Sequence, residues 1–305
     1  MPESLNTQTR GLIMGMTNRL AWASYSGSRR RRAWACAGAV AVAAASLMVV
    51  ATPVPAGAAS LPKNLQKFAH CPIDNPAVSL CLFSKTSSTT FEIGSTIVSS
   101  TSPTTVSMGV MFPQSGGEVA VLPDDGSQAL QSPATPLPGG LLGIPGAPDG
   151  GPLSVTVTPQ LVGLPTLNLF NLVGGSGIGL TLPLDVLVST PTGLLGSDCT
   201  IADAANPILP NLTTGTTSPP PPNTPITGAV GKVTSNSEGL LKVKGMTLVD
   251  NSFAVPGAAN CGLFGILDPI LDLDKGLPSA AGSNTAILSG SAYTAPASLI
   301  RKYLG

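Results

Sequence analysis

Four cysteines, one histidine and three clustered aspartates are the side chains on which chemistry could be built in residues 59–305 of this 305-residue chain. The histidine, His70, stands beside Cys71. A nucleophilic relay needs an imidazole held between a serine or thiol and a carboxylate, so His70 would have to serve it alone. The nearest approach to a nucleophile elbow is "GGSGIG" at 174–179, which has Ile178 where Gly-x-Ser-x-Gly requires glycine. It lacks a following Gly-Lys-Ser/Thr and precedes a strand-like run, so it reads as a glycine-rich hairpin turn rather than a phosphate cradle.

The aspartates lie in "CGLFGILDPILDLDKGLP", residues 261–278. Apolar residues there recur at helical spacing, which predicts one short helix started or broken at Pro269. Asp268 and Asp272 are four apart and share a helix face, with Asp274 close by. Such carboxylates could serve a carboxylate-dependent hydrolase or hold Ca²⁺ weakly. The plainer reading is an exposed acidic face beside Lys275, and no metal or cofactor is implied. Stacking platforms for sugars are scarce, because Trp22 and Trp34 both precede residue 58.

Those first residues have the order of an export signal. Arg29–Arg32 form a basic cluster, an uncharged run from Ala33 to Ala51 follows, and Ala56 and Ala58 give a small-x-small cleavage site. Residues 1–58 therefore read as a cleaved signal peptide and 59–305 as one secreted domain. The arginine cluster leaves general and twin-arginine export both open, with the general route favoured because Arg31 and Arg32 stand where the twin-arginine signal wants apolar residues. The alternative is an uncleaved anchor, since the 19 residues from 33 to 51 are just long enough to span a bilayer.

Removing the leader takes away six arginines and one glutamate, which leaves nine basic and fourteen acidic side chains. That balance offers no basic patch for nucleic acid and no polybasic stripe for anionic lipid. The cysteines that remain, Cys71, Cys81, Cys199 and Cys261, are even in number, as in a disulfide framework. Of three connectivities, Cys71–Cys81 is favoured by proximity in sequence, and Cys199–Cys261 then follows. Zinc is disfavoured, for want of Cys-x-x-Cys and of further histidines.

The rest of the sequence predicts a mainly β fold, an antiparallel β-sandwich or barrel with one short helix and long Pro/Gly-rich loops. Apolar and small polar residues alternate at 91–100, 105–112, 118–122, 153–159, 177–189, 239–250 and 285–293. Pro183 inside one of these runs marks an edge or bulge. Residues 122–152, dense in Pro and Gly, read as a long surface loop. The run "NLTTGTTSPPPPNTPITG" at 211–228 resembles a stiff interdomain spacer. If Cys199 pairs with Cys261, however, the run lies inside the closed loop and becomes a rigid crossover within one domain.

"CPIDNPAVSLC", "NLTTGTTSPPPPNTPITG", "TLVDNSFAVPGAANCG" and "GLPSAAGSNTAIL" together resemble an uncharacterised family of secreted actinobacterial proteins. The likeness covers about Cys71 to Leu288 and implies an exported protein, without an activity or ligand to carry over. The expected role is structural or binding, at or near the cell envelope, with envelope components or self-association as partners. The alternatives are a hydrolase built on Asp268, Asp272 and Asp274, or a self-assembling surface-layer component, because little charge guards the strand edges.

Overall fold

Strands form where apolar and polar residues alternate, and turn residues decide where each is cut. The computed structural model describes residues 60–144 and 150–304. The leader, with its cleavage site and the anchor alternative, lies outside the described residues. No helix among the described residues is long and apolar enough to cross a membrane.

The run 91–100 read as one strand is the tip of a hairpin. β1 (Leu80–Ile93) ends at a two-residue turn and β2 (Thr96–Ser100) returns along it. Gly94 in that turn has φ +56°, and a β-carbon there would strike the carbonyl of Lys275, so glycine is required. β3 (Thr105–Met111) and β4 (Glu118–Val121) follow as read.

The segment 122–152 is less of a free loop than its composition suggests. It contributes β5 (Leu130–Gln131), paired with β3, and β6 (Thr135–Leu137), paired with β7 (Val155–Leu161). Ala129, Leu137 and Leu141 are buried there, which is what holds the segment down.

Beyond β8 (Thr166–Leu167), the glycine-rich stretch is a helix end rather than a simple hairpin turn. α1 (Leu169–Gly174) is capped at its start by the Asn168 side chain and closed at its end by Gly175 in the left-handed region. Pro183 falls between β9 (Leu180–Thr181) and β10 (Leu184–Ser189), at the point where the chain passes from one sheet to the other. The remaining elements are β11 (Thr200–Ile201), β12 (Asn211–Leu212), β13 (Lys232–Ser235), β14 (Leu241–Asp250), β15 (Ala258–Ala259), α2 (Asp268–Lys275), β16 (Thr285–Pro296) and α3 (Ala297–Leu304). α2 is the expected helix, with Pro269 in its first turn and Gly276 closing it.

Among the described residues all strand pairs are antiparallel. The larger sheet runs β12-β9-β8-β4-β3-β1-β16-β14-β13, with β2 added to β1 and β5 to β3; the smaller runs β15-β11-β10-β7-β6. The larger sheet curls until its far members meet, for Thr213, just after β12, exchanges backbone hydrogen bonds of 3.0 and 2.8 Å with Val249 of β14. Asp250, 1% exposed, fastens the junction by accepting from the Asn211 amide at 2.6 Å and from the Ser252 amide and hydroxyl.

Two bulges help the sheet curl, between Thr86 and Ser88 in β1 and between Lys244 and Met246 in β14. Both lie opposite Gly290 of β16, where a β-carbon would collide with the backbone of Lys85 and Thr86. The extra residue also switches faces along β1. Leu82 points inward before the bulge, whereas Phe91 and Ile93 do so after it.

The proline run is neither spacer nor simple crossover. Thr217 and Ile226 are hydrogen-bonded, as are Gly215 and Gly228, so the segment doubles back as a hairpin-like excursion with the prolines at its tip. Asn223 then ties the tip down, its side chain donating to the carbonyls of Asn251 and Asn284.

Candidate functional site

The disulfides are Cys71–Cys81 and Cys199–Cys261. They hold separate parts of the fold. Cys81 opens β1, while Cys199 and Cys261 flank the short strands β11 and β15 of the smaller sheet.

The three aspartates do not converge on a site. Asp268 and Asp272 do share a face of α2, but that face is turned onto the chain just before it. Asp268 accepts from the Cys261 amide and Asp272 from the Ala258 amide, each at 2.7 Å. Both carboxylates thus fix the β15 segment against α2. Asp274 pairs with Lys275, Oδ2 to Nζ 2.6 Å. His70 is exposed, and among the described residues no group of three metal-ligating side chains gathers.

What the fold does build is a cavity between the two sheets. Its walls come from the inward faces of their strands, with Val157, Leu184 and Val186 on one side and Phe91, Val106 and Leu248 on the other. Period-two alternation explains the lining, since every second side chain of a strand faces the same way. The free volume is about 140 Å³. Apolar cavities of roughly 150 Å³ stay dry and admit benzene-sized guests, because no polar partner repays the entry of water.

The two ends of the cavity differ. At one, Thr86, Thr104 and Ser132 form a hydroxyl cluster: the Thr104 amide donates to Thr86 Oγ1 and the Thr104 and Ser132 hydroxyls share a hydrogen bond, both at 2.9 Å. At the other, Lys275 is only 4% exposed, and its ammonium donates to Gly140 O at 2.9 Å. The run of β1 from Thr86 to Ile93 separates these ends by roughly 20 Å.

Sequence reasoning missed this site. Its lining residues are the ordinary apolar members of alternating strands, and nothing local marks a face that leaves space over it. Comparison with protein-family models, with curated proteins and with solved structures gave no match, so the cavity is read from its own geometry.

Proposed function

We propose that this protein is an extracellular binding protein for a slender apolar ligand such as a hydrocarbon chain, acting at or near the envelope of the cell that exports it. The supporting observation is the cavity itself, predominantly apolar with a few hydroxyls and Lys275 in its lining, in a disulfide-stapled chain. Pockets that bind small molecules are mostly apolar, with a few polar groups to orient the guest. The hydroxyls of Thr86, Thr104 and Ser132 would hold the polar end of such a ligand. The basic and apolar leader and the disulfides support export. A hydrolase on Asp268 and Asp272 is not favoured, because their carboxylates are occupied by backbone amides.

Titration with a fluorescent acyl probe tests the reading. Saturable binding near one equivalent is expected, displaced by unlabelled alkyl chains and abolished in Val186→Trp, which fills the cavity. No saturable binding by the wild type, or equal binding by the filled variant, would overturn it.

A further inference from the structure

Folding assembles a basic surface that the sequence does not display. Paired residues on neighbouring strands project from the same face of a sheet. Lys85 of β1 and Lys244 of β14 both pair with Ser291 of β16, and Lys232 of β13 pairs with Lys244. One row across four strands therefore reads Lys85, Ser291, Lys244, Lys232. Two residues along, on the same face, Lys242 pairs with Tyr293. Lys67 reaches the same ring from the N-terminal segment, so the Tyr293 ring has Lys67 Nζ at 5.0 Å and Lys242 Nζ at 4.9 Å.

Five of the nine basic side chains after residue 58 are gathered here. Among the described residues none of the five has an ion-pair partner, the one salt bridge being Asp274–Lys275. Like charges set opposite one another across a strand pair destabilise a sheet, so Lys244 against Lys232 is a local cost. Lys232 alone has a simple structural use, as a charge on the exposed strand β13 at the end of the sheet. That explanation does not reach Lys85, Lys242 or Lys244, which lie on strands paired on both sides.

The geometry points to this face as a docking surface for an anionic bilayer. The occupant is chosen by chemistry. The cations are lysines, point charges suited to a diffuse layer of phosphates rather than to the planar, bidentate recognition that arginine provides. The aromatic ring is half-buried beneath two ammonium groups and is not free to stack on a base. The assignment rests in part on the apolar-ligand reading, since a ligand of that kind resides in membranes.

The test is cosedimentation of the exported protein with vesicles of phosphatidylcholine alone, or with about a third phosphatidylglycerol. The expected result is binding only to the anionic vesicles, weakened by salt. It should fall roughly 5-fold for each lysine neutralised, hence about 25-fold for Lys232→Gln with Lys244→Gln. Because both side chains are exposed and neither lines the cavity, the double variant should keep its circular dichroism and its acyl-probe titration. Equal binding to neutral vesicles, an unaffected double variant, or binding to single-stranded nucleic acid in place of vesicles would overturn the assignment. If the acyl probe fails while lysine-dependent vesicle binding holds, the cavity reading falls and the docking face stands.

Discussion

The two faces of β1 and β16 carry two apolar clusters built on different terms. On the outer face Leu65, Phe68, Val78 and Ile300 are each 3% exposed or less, and short pieces of chain roof them over. Arg301 of α3 locks that roof by donating to the carbonyls of Ile73, Asn75 and Val78 at 2.8 to 3.0 Å. On the inner face the roof is a second sheet, and the cavity remains between them. Loose segments can settle onto a sheet until dispersion contacts are complete. Here the two sheets do not close fully onto each other, and the side chains lining the space between them lack part of their dispersion contacts.

The largest effects should come from the disulfides, one in each cluster. Cys199–Cys261 closes a separation of 62 residues and Cys71–Cys81 one of 10. On chain-entropy grounds, Ser replacement of the first pair should cost about 4 kcal/mol and of the second about 3 kcal/mol. Urea denaturation of the two double variants checks the order. A larger loss from Cys71/Cys81 would mean that the outer roof depends on its bond more than loop closure implies.

Truncation sharpens the contrast further. Ile300→Ala leaves a hole in a filled cluster and should cost about 3 kcal/mol. Val157→Ala removes atoms already facing free space and should cost about 1 kcal/mol. Enlargement should reverse the asymmetry. Val186→Phe projects into the cavity and should change stability by less than about 1 kcal/mol, whereas Ala297→Leu, at a position fully buried in the outer cluster, should overpack it by roughly 2 kcal/mol. Thermal melts of the four variants decide it, and equal penalties for the two enlargements would remove the distinction between the clusters.

Some of this was legible beforehand and some was not, for physical reasons. β3, β4, β14 and β16 announce themselves because apolar and polar residues alternate along them. Most of β1 was missed, since "SKTSSTT" puts hydroxyls on both faces and the bulge before Ser88 breaks the period. α2 was visible in its spacing, but the engagement of Asp268 and Asp272 with backbone amides was not, because their partners belong to the chain before the helix. Asn284 is fully buried, accepting from the Gly94 amide and donating to the carbonyls of Phe253 and Ala280, yet in sequence it is one more turn residue. The cavity depends on the distance between sheets and the lysine row on register across four strands, and neither quantity has a local signature.

The smallest expected effect lies on the back of the inner cluster. Asp185 sits in β10 between Leu184 and Val186, which face the cavity, so its side chain points the other way. It is 8% exposed, and Oδ1 has no hydrogen-bond partner among the described residues. Burial first, and the charge of Asp203 second, raise its pKa above the ordinary 3.8. The folded chain therefore keeps a proton that the unfolded chain releases. Its stability is greatest below the unfolded value and declines as pH rises from there through the raised folded value. Asp185→Asn keeps the shape without the charge, so it should match the wild type near pH 3 and exceed it at pH 7 in urea midpoint. A constant difference at both pH values would mean that titration of Asp185 is not the cause. A weaker variant at pH 7 would mean that the carboxylate has a partner that the amide cannot replace.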